Sequence, residues 1–243
     1  MLKQKYYNSL PTLLIAIILV IAFLVPTGSA FAKSKTKTAT VDIDSGVLNV
    51  RSGPSTKYKV IGTLKNKVKI TVYTETKNGW AETRVNKKKG YVSKEFLRFY
   101  KKMSNAKAKK ITDKALKVQR RISFNGSYTK KQIHSMLSES FTKNYIDKII
   151  KYDLAVYEKN YKGENMYGWV GTDMPLYALS GFEWKKRNEI DFVVTELPKV
   201  VYYTKNGKEY LQVKQKIEPA FGTIYENIHL SKSSSKADWK VYK

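Results

Sequence analysis

The chain has 243 residues, with 46 Lys and Arg against 20 Asp and Glu, a formal net charge of +26 and no cysteine. The missing thiols exclude disulfides, cysteine nucleophiles and a lipid-modified cysteine, and leave stability to packed cores. The positive field favours polyanionic partners, and it is densest early, where residues 33–104 hold eighteen Lys and Arg against five acids.

The first 32 residues read as an export signal. Lys3 and Lys5 precede an unbroken apolar run over residues 13–25, Pro26 and Gly28 break it, and Ala30-Phe31-Ala32 offers a small-x-small cleavage pattern. Thirteen apolar residues fall short of the roughly 20 that span a bilayer, and no later stretch comes closer. The expectation is a secreted product, extracellular or cell-wall associated, with no stable membrane span. Export also shifts the expected polyanion from nucleic acid, the usual partner of so basic a chain, to phosphate polymers of the envelope. Lysine contacts to such phosphates are salt-sensitive and sequence-blind.

Over residues 40–100 short β-type runs alternate with turns. The runs are 47–50, 60–64, 68–73, 80–85 and 90–92, and Ser52-Gly53-Pro54-Ser55, Asn78-Gly79 and Asn86-Lys87 supply turn chemistry between them. Five short strands with tight turns predict a small barrel. The stretch Leu48-Asn49-Val50-Arg51-Ser52-Gly53-Pro54-Ser55, followed by Asn78-Gly79-Trp80 and Gly90-Tyr91-Val92, resembles the bacterial SH3-type domain. That resemblance implies a barrel that, in secreted Gram-positive proteins, docks onto peptidoglycan. The chain departs from the family pattern near Lys67, where the family commonly has Gly, and at Asn86-Lys87, where it commonly has Asn-Gly; both sit in turns and bear on local geometry rather than the fold. Tyr58, Tyr73, Trp80 and Tyr91 are the candidate aromatic contacts. The resemblance places Trp80 chiefly in the core, gives Tyr91 a partly structural role, and leaves Tyr58 as the exposed contact.

Residues 101–106 read as a linker and 107–243 as a second domain. Ile111, Ala115, Val118 and Ile122 fall on one helical face. Thr129-Lys130-Lys131-Gln132 is a capping-box signature for a second helix, and a third runs from Thr142 with Tyr145, Ile146, Ile149 and Ile150 inward. From Ile190 the period changes to two, with a hairpin at Lys205-Asn206-Gly207-Lys208. On a following strand Ile224, Glu226, Ile228 and Leu230 share one face, and Trp239 and Val241 lie on a last strand. The expected fold class is thus a small all-β SH3-like barrel followed by an α+β domain, with helices packed on a curved antiparallel sheet. This order is similar to the cystatin or nuclear-transport-factor-2-like layout. Residues 172–177, the Phe141-Thr142 helix start and Trp239-Lys240-Val241-Tyr242 resemble an uncharacterised domain of secreted Gram-positive proteins, which implies no activity. Residues 161–184 show no clear period and hold Trp169, Asp173 and Tyr177, three further candidate contacts, together with Trp184.

Catalytic signatures are sparse. His134 and His229 form no metal-binding motif. Ser-x-x-Lys occurs at Ser34, Ser104, Ser127, Ser140 and Ser233, a frequency that Lys abundance explains. A glycosidase needs only two carboxylates, and Asp173, Glu183 and Glu164 could supply them. The reading reached is an exported, non-enzymatic cell-wall-associated binding protein that needs no cofactor. Its first module would engage peptidoglycan and anionic wall polymers, and its second an unknown ligand or protein partner. An inhibitor or regulator of secreted peptidoglycan hydrolases is the alternative, and a glycan hydrolase the third reading.

Overall fold

The first half of the chain alternates small apolar and polar residues, and that alternation builds its strands. A computed structural model describes residues 36–171, 176–189, 192–219 and 222–243. The expected signal segment lies outside them. Among the described residues no helix is long and apolar enough to cross a membrane. Seven strands rather than five make the barrel: β1 (Lys37–Val41), β2 (Leu48–Arg51), β3 (Val60–Leu64), β4 (Lys69–Val72), β5 (Trp80–Val85), β6 (Lys88–Ser93) and β7 (Leu97–Lys101). A 3₁₀ turn, Lys94–Phe96, links the last two. β1 escapes a sequence reading because Lys37-Thr38-Ala39-Thr40-Val41 has only two apolar residues. Both point inward, and Ala39, Val41, Leu48, Val50, Val72, Ala81, Val92 and Leu97 form a closed core. Fully burying each of the valines and leucines among them contributes roughly 1.5–3 kcal/mol.

The second half begins almost without a linker. Lys101 is still in β7, and Ser104 already caps α1 (Asn105–Gln119), its hydroxyl accepting from the Lys107 amide. Then come β8 (Tyr128–Thr129), α2 (Lys130–Leu137) and α3 (Lys143–Tyr152). The capping box at Thr129 and Gln132 is present, and Tyr145, Ile146, Ile149 and Ile150 are the buried face of α3. The strands β9 (Leu154–Lys159), β10 (Asn165–Trp169), β11 (Arg187–Glu189), β12 (Phe192–Val194), β13 (Lys199–Lys205), β14 (Lys208–Pro219), β15 (Ile224–Lys232) and β16 (Lys240–Val241) complete the order. Helix residues Ile133, Leu137, Phe141 and Ile149 meet sheet residues Leu211, Val213, Ile228 and Leu230 in a second core.

Three sheets organise these strands. β3-β2-β6-β5 forms one and β8-β10-β9 another. The third has nine strands: β16, β15, β14, β13, β7, β1 and β4 follow in order, and the β11–β12 hairpin pairs with the far end of β14. β7 is the common member. Leu97 and Arg98 pair with β1, and Phe99, Tyr100 and Lys101 pair with β13. The barrel and the following domain therefore share one backbone ladder, and Thr36–Lys243 forms a single unit.

Residues 161–184 are not irregular throughout, as the sequence reading had them. Asn165–Trp169 is a strand paired along Leu154–Lys159, and Asn160 shapes the turn between them by accepting from the Lys162 and Glu164 amides. The short strand carries Gly168 and a register shift between Met166 and Tyr167, which blurs its alternation.

Candidate functional site

Inward alternation in β5 and β6 fixes what faces outward. Ala81, Thr83, Gly90 and Val92 are buried on the core side, and Trp80, Glu82, Lys89 and Tyr91 alternate to the other face, where Glu82 is nonetheless buried. The register sets Tyr91 opposite Glu82 on one side and opposite Arg51 on the other. The Lys89 ammonium bridges the row, 3.1 Å from Glu82 and 5.4 Å from the Tyr91 ring centre. The hydrogen bonds that the ammonium donates to Tyr91 and then to Glu82 hold its pKa above the ordinary lysine value. The Arg84 guanidinium lies 4.8 Å from the centre of the Tyr73 ring.

Arg51 carries the row to Tyr58, whose carbonyl accepts from the Arg51 guanidinium at 2.9 Å. Tyr58 is 49 % exposed and its ring lies against Gly53. A Cβ at residue 53 would sit 2.6 Å from that ring, so the glycine is what lets the aromatic lie flat. The Asn78 amide donates to the Pro54 carbonyl at 2.9 Å and ties the turn before Trp80 to the turn beneath Tyr58. Trp80 is half-buried and outside the barrel core, which corrects the core role that the resemblance implied. With Ala81 and Thr83 inward, the residue before them must face out. Trp80 and Tyr91 thus alternate to the same side of the β5–β6 pair, Tyr58 is tied to it through Arg51, and Tyr73 meets Arg84 of β5. Arg51 and Lys89, which complete that side, were not among the sequence candidates, although strand alternation from Val50 was enough to place Arg51 outward; Glu82, which holds Lys89, is buried.

The candidates of the second half do not join that surface. Trp169 packs against the helical core and its indole donates to the Ile122 carbonyl at 3.2 Å. Tyr177 stacks on Tyr152 with ring centres 5.2 Å apart, and its carbonyl accepts from the Tyr145 hydroxyl. Asp173 lies outside the described residues.

Residues 176–184 form no helix or strand, yet buried side chains satisfy their backbone. The Asp153 carboxylate accepts from the amides of Leu176, Tyr177 and Ala178 at 2.6, 2.9 and 2.7 Å. Gln119 makes a two-way pair with Leu179, and Gln215 does the same with Glu183. Glu226, on the inner face of β15, accepts from the amides of Ser180 and Gly181, but burial dominates and raises its pKa to about 7. This strap consumes the polar groups that would otherwise line a site.

The catalytic candidates are placed as follows. Glu183 pairs with Arg187 at 3.4 Å, and Glu164 accepts from Asn160 at 2.8 Å in the β9–β10 turn. His134 contacts Asp147 at 3.0 Å, and His229 lies 3.0 Å from the Gln212 amide nitrogen. Among the described residues no three His, Cys, Asp or Glu side chains are grouped to hold a metal. The Ser104 hydroxyl is spent on its helix cap.

Residues 46–98 match the bacterial SH3 domain, a domain type that commonly binds peptidoglycan or other cell-wall components. Residues 104–204 match a family described as a protein of unknown function, DUF3993. No curated protein matches the chain. The outward row from Arg51 to Tyr91 falls wholly within the first match, and the strap with Asp153 and Gln119 within the second. The chain carries a bacterial SH3 domain that passes, through the shared strand β7, directly into a DUF3993 domain.

Proposed function

We propose that this is an exported, non-enzymatic protein of the Gram-positive cell wall whose SH3 domain binds peptidoglycan through the outer face of β2, β6 and β5. The observation that carries the reading is the row of Tyr58, Arg51, Tyr91, Lys89 and Trp80, with Lys89 held in place by the buried Glu82, which combines flat aromatic faces with hydrogen-bonding cations. Saccharide and peptide ligands need that mixture, because aromatic rings cover apolar C–H faces while charged groups fix orientation. The excess of Lys would add a salt-sensitive attraction to wall phosphates. The basic, apolar and small-residue pattern of the first 32 residues supports export.

Retention of the purified chain on isolated sacculi tests the reading, with sacculi stripped of phosphate polymer as a second arm. The Y58A/W80A double variant is expected to bind stripped sacculi at least tenfold more weakly. Added salt is expected to weaken only the component that depends on phosphate polymer. Undiminished retention of the double variant on stripped sacculi would remove the outer face as the binding surface.

A further inference from the structure

A cleft of about 400 Å³ opens where the barrel meets the β13–β14 hairpin. Its volume falls within the range of ligand pockets, roughly 300–1,000 Å³. The two walls carry opposite charge. The barrel wall presents Asp44, from the turn after β1, and Glu95, from the 3₁₀ turn before β7, and the hairpin wall presents Lys208. They meet at the base, where Asp42 binds Lys205 at 2.6 Å and Arg98 at 2.7 Å. Above that contact the walls stand open. Among the described residues Asp44, Glu95 and Lys208 have no ion pair, and Glu95 accepts only the Ser93 hydroxyl, at 2.9 Å.

Asp44 and Glu95 are unusual in the barrel. The other barrel carboxylates are matched to cations: Asp42 to three, Glu75 to Lys37 and Lys94, and Glu82 to Lys89. The two left unmatched face the same cleft. Its aromatic side is made of Tyr203, Tyr210 and Tyr242. Tyr203 and Tyr210 stack with ring centres 5.0 Å apart and planes 10° from parallel, and Tyr242 sets its edge against Tyr210. Arg98 already lies over the buried Tyr203 ring, 4.6 Å from its centre, so Tyr210 and Tyr242 are the rings left to attract an ammonium or apolar groups. The surplus of cations at the base and on the hairpin, Arg98, Lys205 and Lys208 against Asp42, attracts a carboxylate.

We infer that this cleft binds a short peptide with free ends, its ammonium at Asp44 and Glu95 and its carboxylate toward Lys208 and the Arg98–Lys205 base. A polyanion satisfies only one wall and is repelled by the other, whereas a small dipolar molecule satisfies both. The site is separate from the outer face of the barrel, and its occupancy is independent of wall binding.

Trialanine is a suitable probe, titrated into the full chain at millimolar concentration while the tyrosine ring resonances are followed by NMR. Free trialanine is expected to shift the signals of Tyr203, Tyr210 and Tyr242, and N-acetylation or C-amidation of the peptide to weaken binding at least fivefold each. In the D44N/E95Q variant the penalty for N-acetylation is expected to disappear, and in the K208Q variant the penalty for C-amidation to shrink. All three substitutions are at the cleft rim, outside both cores. Absence of shifts with free trialanine, equal binding of the blocked peptides, or unchanged preferences in both variants would each overturn the assignment.

Discussion

Asp42 in the barrel and Lys205 at the end of β13 are 163 positions apart in the chain and 2.6 Å apart in space. Arg98 and Lys67 bind the same carboxylate at 2.7 and 3.1 Å. The arrangement is asymmetric in burial: the Asp42 side chain is 9 % exposed, Arg98 and Lys205 are each 29 % exposed, and Lys67 is 64 % exposed. Removing the anion therefore strands two largely covered cations, whereas removing Lys67 costs one solvated partner. D42A is expected to lower stability by about 3 kcal/mol, and K67A by less than about 1 kcal/mol. Urea unfolding followed by tryptophan fluorescence measures both, and equal losses would show that Asp42 is not the hub.

Acid acts on the same contact. Burial pushes the Asp42 carboxyl up, but hydrogen bonds from Lys205, Arg98 and Lys67 outweigh it and hold the group well below the usual carboxylate range. A carboxyl depressed in the folded state adds stability above its unfolded value, 3.8 here, and loses it as pH falls further. The expected outcome is a steep fall in the midpoint of thermal unfolding below about pH 4, flattened in D42N.

Glu226 has the opposite sign. Its carboxyl is raised from 4.5 to about 7, chiefly by burial. Such a group adds stability below pH 4.5 and loses it as pH climbs to about 7, because only the unfolded chain ionises freely in that window. Tyr145 faces it from α3, the amides of Ser180 and Gly181 from the strap, and Lys214 and Lys216 line the cavity beside it. In E226Q the decline between pH 5 and pH 7.5 is expected to vanish, with a gain at pH 8 on the order of 2 kcal/mol. Calorimetry at pH 5 and pH 8 decides it: a mutant that keeps the wild-type decline would place the titration elsewhere.

The strap offers a fourth measurement. Asp153 accepts three amides while being 4 % exposed, so D153A leaves three N–H groups without their acceptor. The expected loss is about 2–4 kcal/mol, together with faster hydrogen exchange at Leu176, Tyr177 and Ala178. Exchange that rises equally across α1 would mean the residue supports the whole domain rather than this segment.

Backbone conformation supplies a stabilising substitution. Asn86 and Lys87 form the β5–β6 turn with φ of 50° and 64°, a mirror-image turn that asparagine tolerates and lysine does not favour. K87G is expected to raise stability by about 0.5–1 kcal/mol, visible as a higher unfolding temperature. Lys67, at φ 66°, is the same kind of position, but its ion pair with Asp42 offsets the gain there.

Those two lysines show what sequence can reveal. The departures from the SH3 pattern near Lys67 and at Asn86-Lys87 put the local turn geometry in question, and both lysines adopt the left-handed conformation that glycine serves. Local chemistry was equally readable at Thr129 and Gln132, which form their capping box, and at Asn206 and Gly207, whose φ values of 48° and 72° make the expected hairpin turn. Glu226 was placed on the inner face by alternation, although its raised pKa needed the depth of burial. Long-range pairings were not readable. Nothing near Phe99, Tyr100 or Lys101 signals that they hydrogen-bond to residues 202–204, and Asp153 gives no hint in sequence of the amides more than twenty positions away that it holds. Trp80 was misassigned because a family tendency was set above the alternation of its own strand.

The shared strand β7 also has a mechanical meaning. Where two domains are strung on a flexible tether, tension is absorbed by the slack and each domain reorients freely. Here a pull on the barrel would load the β7–β13 hydrogen bonds directly, and the part that follows would turn with it rather than swing on slack.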